Sequence, residues 1–217
     1  MNHHISTDKQ ITLKDIQHIL ESNATLNLSD KAKKNIVACR DYLDKKMASQ
    51  KEPIYGINTG FGSLCNVIIP DNELEQLQTN LVMSHACGMG QEVPLEIVRI
   101  MLLLKVQSLS YGKSAVQLQT VERLIDLYNY KVYPIVYEQG SLGASGDLSP
   151  LAHLCLPLLG MGEVNYQGNK RQAADVLKEL GLTPITLKSK EGLALLNGTQ
   201  FMSAYGVWCL LKSTKLN

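Results

Sequence analysis

The chain has 217 residues, 45% of them apolar, with 21 basic and 20 acidic side chains and a formal net charge of +1. It can bury a substantial core in one large domain or two small ones, and its balanced charge builds no field that favours nucleic acid or an anionic membrane surface. The longest apolar runs, such as Ile100-Met-Leu-Leu-Leu104, are far too short to span a bilayer. The start, Met1-Asn-His-His-Ile5, has no apolar stretch of the signal-peptide kind, and His3 and His4 read as a solvated beginning rather than a metal site. The five cysteines, Cys39, Cys65, Cys87, Cys155 and Cys209, are odd in number and show no Cys-x-x-Cys spacing, which suits reduced thiols in the cytoplasm and gives no support to zinc or a redox pair.

In chain order, Thr12-Leu-Lys-Asp15 has the form of a capping box and opens a helix through Ile16, Ile19 and Leu20. Ser29 caps a second helix, in which Ala32, Ile36, Cys39, Leu43 and Met47 recur every three or four residues while the charges form a solvated face. Helical character then stops. Tyr55-Gly56-Ile-Asn58-Thr59-Gly60-Phe61-Gly62-Ser63 reads as a mobile glycine-rich loop; it lacks the ending of a P-loop, and its glycines do not fit G-x-G-x-x-G. Asp71 or Asn72 opens the next helix, with Leu74, Leu77, Leu81 and His85 on one face, where a histidine is more often a satisfied core residue than a ligand. Pro94 starts a long apolar helix that Gly112 stops, and Ser114-Ala-Val-Gln117 resembles a capping box for a helix through Val121, Leu124, Ile125 and Tyr128. Both should be core or subunit-interface helices. Tyr133-Pro134-Ile-Val136 is extended, because the residue before proline disfavours the α conformation.

The most informative stretch is Gly140-Ser-Leu-Gly143-Ala144-Ser145-Gly146-Asp147-Leu-Ser149-Pro150-Leu-Ala-His153. Glycines at 143 and 146 permit tight or left-handed turns, and Ser149-Pro150 reads as an N-cap followed by proline at the first helical position. An Ala-Ser-Gly turn can bring the glycine nitrogen against the alanine carbonyl. Closure of that ring with loss of water, and loss of water from Ser145, leaves a dehydroalanine conjugated to an imidazolone, an electrophile that no standard side chain supplies. A plain loop and an anion nest at a helix start compete with this reading. A serine nucleophile elbow is discounted, because its glycines would have to stand two before and two after the serine. Beyond Pro150 a short helix runs towards Gly160, with Pro157 bending or ending it, and His153 is structural. Glu163-Val-Asn-Tyr166 and Lys170-Arg171-Gln172 flank a Gln167-Gly168-Asn169 turn as a small hairpin, and Ala173 to Leu180 is a helix closed by Gly181. Asn197-Gly198 is a turn signal after Leu193-Ala-Leu-Leu196, and Phe201 to Leu216 is a strongly apolar helix without a cap, which looks cut. There are no internal repeats.

The stretch from Gly140 to His153 closely resembles the signature of the aromatic amino acid ammonia-lyases, the family of histidine, phenylalanine and tyrosine ammonia-lyases. Tyr55-Gly-Ile-Asn-Thr-Gly-Phe-Gly62 and Leu196-Asn197-Gly-Thr199 resemble two further motifs of that family. The resemblance implies that Ala144, Ser145 and Gly146 cyclise autocatalytically to 4-methylidene-imidazol-5-one, with no external cofactor and no metal. It implies that Tyr55 removes the substrate β-proton, a role that needs a site adapted to a phenol of ordinary pKa about 10. Asn197 then orients the electrophile or the substrate amine, and Asp147 helps the cyclisation. At the pair matching Ser84-His85, histidine ammonia-lyases carry Ser-His, tyrosine ammonia-lyases typically His-Leu and phenylalanine ammonia-lyases Phe-Leu. His85 is therefore the substrate-binding residue, and L-histidine, giving trans-urocanate, the implied substrate.

The implied fold is mainly α: an N-terminal active-site head with short β elements over residues 1–200, then the start of a long central helical bundle over 201–217. Family members run to roughly twice this length or more, so the chain reads as an N-terminal portion. The family is homotetrameric, with sites shared between subunits, and the remaining site residues, including those for the substrate carboxylate, lie in sequence absent here. The chain alone is therefore expected to have little or no activity. The alternatives are a tyrosine ammonia-lyase or aminomutase of the same family, and a catalytically inert fragment whose helices only associate.

Overall fold

The computed structural model describes residues 2–49, 52–60, 66–142 and 146–214. Ala144 and Ser145, with Gly143 before them and Phe61, Gly62 and Ser63 of the glycine-rich loop, lie outside the described residues. The fold is mainly helical with short strands, as the sequence implies.

At the start, β1 (Asn2–Ile5) pairs in parallel with β2 (Thr25–Leu28) across helix α1 (Leu13–Glu21). The capping box of α1 forms: Asp15 N donates to Thr12 Oγ1 at 3.2 Å, and Thr12 N donates to Asp15 Oδ2 at 2.9 Å. The solvated beginning holds for Asn2 and His4, which are exposed, but not for the whole segment. Ile5 and Leu26 are fully buried and draw the strands onto the core, leaving His3 half-buried with its pKa lowered chiefly by desolvation. Helix α2 (Asp30–Ser49) follows, with Ser29 Oγ accepting from Ala32 N at 3.2 Å.

A 3₁₀ turn, Asp71–Glu73, precedes α3 (Leu74–His85), so the regular helix begins later than Asp71 or Asn72. Strand β3 (Met89–Glu92) leads to α4 (Leu95–Ser110), which is apolar around most of its circumference and forms the centre of the core. Ile97, Ile100, Met101, Leu102, Leu103 and Val106 are all buried, each worth about 1.5–3 kcal/mol by removal from water. Helix α5 (Leu118–Asn129) and α2 pack on α4. The capping box expected at Ser114–Gln117 is absent. Gln117 is the N-cap residue and makes no side-chain cap, because the start of α5 is held by Glu191 from a distant part of the chain.

Strands β4 (Tyr133–Pro134) and β5 (Tyr137–Gln139) join β6 and β3 respectively, and α6 (Leu148–Cys155) follows. Its N-cap is Asp147, so the expected Ser149-Pro150 start is displaced by two residues. Pro150 is tolerated in the first turn because the first four N–H groups of a helix have no partner within it. A 3₁₀ segment, Leu156–Leu159, replaces the α geometry around Pro157 and ends at left-handed Gly160. The hairpin forms as β6 (Glu163–Tyr166) and β7 (Asn169–Gln172), with positive φ at both Gln167 and Gly168, and α7 (Ala173–Glu179) follows it. Helix α8 (Glu191–Leu196) and α9 (Gln200–Ser213) complete the chain, with α9 lying along α4. Helices α3, α6 and α8 pack on one another, which brings together the end of α3, the start of α6 and the end of α8. No helix among the described residues is long and apolar enough to cross a membrane.

Candidate active site

Three chain segments converge where those helix ends meet. The first is the loop that carries Tyr55. Its turn closes by hydrogen bonds from Ile57 N and Asn58 N to Ile54 O, at 3.0 and 3.2 Å. The buried side chain of Asn58 accepts from Ile54 N at 2.6 Å and donates to Glu52 O at 3.0 Å, while buried Thr59 Oγ1 accepts from Gly56 N at 3.3 Å. The Asn-Thr pair of the motif therefore ties the loop down, and Tyr55 stands 57% exposed at its head.

The second segment is the last turn of α3. His85 Nδ1 lies 2.8 Å from Leu81 O and 3.2 Å from Ser84 Oγ, and Ser84 Oγ donates to the same carbonyl at 3.0 Å. A carbonyl oxygen only accepts, so this network assigns the proton to Nδ1 and leaves a lone pair on Nε2. In the neutral ring, the outer nitrogen of this half-buried imidazole is then an acceptor.

The third segment is α8 and the turn after it. Asn197 is the C-cap residue, with extended backbone, φ −85° and ψ 101°, and its N–H donates to Leu193 O at 2.9 Å. Gly146, the last residue of the Ala-Ser-Gly tripeptide, presses against this turn. A Cβ on Gly146 would stand 2.9 Å from Gly198 O and 3.2 Å from Asn197 Oδ1, and its φ of +119° is one that side-chain-bearing residues rarely adopt. Asp147 N donates to Gly198 O at 2.8 Å, which fixes the tripeptide's exit beside Asn197.

Tyr55, His85 and Asn197, named separately from three motifs, line one cavity of about 280 Å³, whose apolar wall is Leu81, Leu148, Leu193 and Leu196. A volume of that size suits a single amino-acid substrate. Among the described residues no cluster of three or more His, Cys, Asp or Glu side chains is arranged to hold a metal ion. His153 lies behind the site and is structural: its Nε2 accepts from Gly88 N at 2.9 Å, its ring meets Tyr137 edge to face, and burial lowers its pKa.

The supports of α8 escaped sequence reasoning. Fully buried Glu191 accepts from Gln117 N, Thr120 Oγ1, Gln117 Nε2 and Lys188 N, at 2.6 to 2.8 Å. Gly192 N donates to Gln78 Oε1 at 2.9 Å, and the buried ammonium of Lys105 donates to Ala194 O at 2.9 Å. A single lysine inside the apolar run from Ile97 to Leu109 was a visible signal; Glu191 and Gln78 carried none, because their partners are remote in sequence.

A model of the aromatic amino acid lyase family matches residues 11–217. The histidine ammonia-lyase of Deinococcus radiodurans is 49% identical over 197 residues, which is 91% of this chain and 37% of that protein. That of Legionella pneumophila strain Corby is 47% identical over 99% of this chain and 42% of its own length. The chain therefore spans about two fifths of the length of the curated relatives it matches. Among solved structures, the histidine ammonia-lyase of Trypanosoma cruzi superposes with a TM-score of 0.88 at 40% identity, covering 98% of this chain and 41% of that one. The phenylalanine aminomutase of Pantoea agglomerans gives 0.92 at 35% identity, covering 99% and 41%. The fold, the convergence of three motif segments on one cavity, and this extended likeness agree: the chain belongs to the aromatic amino acid lyase family.

Proposed function

We propose that the protein eliminates ammonia from L-histidine without oxidation, giving trans-urocanate, and that Ala144, Ser145 and Gly146 form the 4-methylidene-imidazol-5-one electrophile, with no external cofactor. The observation that carries the substrate is His85, an acceptor at Nε2, in one cavity with Tyr55 and Asn197. The relatives named histidine ammonia-lyase support it. The residues present fit the group. Gly146 occupies a conformation and a space that only glycine tolerates, as cyclisation through an unhindered nitrogen requires.

Once formed, the group supplies an electrophilic carbon that converts the substrate amine into a leaving group. Each protein residue then has a distinct task. His85 Nε2 accepts the N–H of the substrate imidazole, Tyr55 takes the β-proton, and the Asn197 amide, which donates and accepts at once, orients the amine. The leucine wall excludes water around the reacting carbons. Asp147 fixes the tripeptide's exit and so assists its closure.

We read residues 1–200 as the head domain and 201–217 as the start of a bundle helix. The active species is then a cytoplasmic homotetramer whose remaining site residues, including those for the substrate carboxylate, lie beyond this chain. On that reading the 217-residue chain alone releases little or no urocanate. The second reading, a tyrosine lyase or an aminomutase, draws on the structural likeness to aminomutases. Intact mass decides the chemistry. A complete protein two waters lighter than its sequence supports the electrophile, and an unshifted mass refutes it. Turnover of histidine against tyrosine by the same protein, with product identification, decides the substrate.

A further inference from the structure

Helix α8 has six residues, fewer than two turns, and a helix that short is not stable by itself. Its geometry is imposed by its neighbours, which reach it at three of its six residues. Glu191 engages α5, Gly192 N engages Gln78 on α3, and Ala194 O engages Lys105 on α4. The Ala194 carbonyl belongs to the last turn, where carbonyls lack partners within the helix and a positive charge is favoured. Lys105 Nζ is buried, and Ala194 O is its hydrogen-bond acceptor among the described residues. Asn197 follows three residues later, with its N–H on the adjacent carbonyl, Leu193 O.

We propose that Lys105 is a positioning residue: its buried ammonium, bound to the Ala194 carbonyl, sets the end of α8 and thereby aims the Asn197 side chain at Gly146. What Asn197 then does for the reaction rests on the function proposed above, but the positioning itself does not. Among the described residues, the ionisable group close enough to act on Lys105 is the Cys155 thiol of α6, while the Glu191 carboxylate is turned towards Gln117, Thr120 and Lys188 N. Burial brings the lysine's pKa down to about 8. Its charge therefore changes within a range where the fold can be studied, and the field at the α8 terminus changes with it.

The test is the side-chain amide signal of Asn197 in ¹⁵N-labelled 217-residue chain, followed from pH 6.5 to 9.5, in the wild type and in Lys105→Met, which keeps the aliphatic stem. The expected result is a wild-type signal that moves with a midpoint about pH 8, and a shifted Lys105→Met signal that no longer titrates. The Gly181 amide, in the turn that closes α7 and bonded to Lys178 O, should keep its position and so report an intact fold. A lysine that only fills space would give an Asn197 signal unmoved by pH and unmoved by the substitution, and that result overturns the proposal. If Lys105→Met fails to fold, Lys105→Arg, which keeps a cation that does not titrate in this range, takes its place, and a pH-dependent Asn197 signal that survives unchanged in that variant overturns the proposal. Failure of the histidine reading would appear in the mass and turnover measurements and would leave this titration unaffected. In a complete, active enzyme the same variant should lower kcat about 10-fold or more with little change in KM, counted per dehydrated site.

Discussion

The carboxylate of Asp147 accepts the backbone N–H of Met202 at 3.0 Å, across 55 residues of sequence. The residue that leaves the Ala-Ser-Gly tripeptide therefore caps α9, a helix whose own N-cap residue, Thr199, makes no side-chain cap. Asp147 is 3% exposed, and its loss leaves the Met202 N–H at the start of α9 without this partner. Asp147→Ala should destabilise the fold by about 1–2 kcal/mol, and Asp147→Asn, which keeps an acceptor, by less. Urea unfolding of the two variants against the wild type checks the order; equal losses would remove the capping role.

Gly146→Ala should fail on two grounds, the positive φ and the approach of Gly198 O. The expected cost is about 1–3 kcal/mol of stability. The complete protein carrying it should keep its full sequence mass, with no loss of water from the tripeptide. Dehydration at a normal level would contradict the need for glycine.

His85→Phe removes the Nε2 acceptor without touching the other motifs. In the complete enzyme we expect kcat/KM for histidine to fall roughly 10- to 100-fold, which is the worth of about one to two hydrogen bonds. Stability should change by less than about 1 kcal/mol, because the ring is only half-buried and replaces one helix-end bond. Unchanged histidine turnover would move substrate recognition elsewhere.

His153 offers a pH prediction with a defined sign. Burial lowers its pKa below the ordinary 6.5, and its Nε2 must keep a lone pair to accept from Gly88 N. The unfolded chain therefore binds the proton more readily, and stability falls as pH drops below 6.5 through the folded value. Relative to His153→Gln, the wild type should lose stability between pH 7 and pH 5. Parallel stability curves for the two proteins would rule this out.

The thiols should separate by burial. Cys87 and Cys209 are exposed, whereas Cys155 is fully buried and its pKa is pushed up to about 12. At pH 8.5 iodoacetamide should label Cys87 and Cys209 in the native chain, and Cys155 only after unfolding. In the unfolded chain the thiol ionises near its usual value of 9.0, so this group costs stability as pH rises above that point. Peptide mass mapping reads the labelling directly.

The sequence by itself determined whatever depends on neighbours along the chain. The capping box at Thr12, the Ser29 cap, the Gln167-Gly168 hairpin turn and the apolar circumference of α4 all rest on contacts within a few residues, and each appears where the pattern placed it. The resemblance to the lyase family was legible because its motifs are short, contiguous and compositionally unusual. Only the tertiary structure decided what depends on residues far apart in the chain. The parallel pairing of β1 with β2 hangs on the burial of Ile5 and Leu26, and no local signal marked it. The start of α5 is capped by Glu191 and the start of α9 by Asp147, so sequence rules that look for a cap beside the helix misplace it or find none. The site shows the same division. Tyr55, His85 and Asn197 were each nameable from a motif, but their convergence follows from the packing of α3, α6 and α8. The buried polar contacts that fix α8 join residues separated by some 70 to 115 positions, a relation that one-dimensional pattern cannot carry.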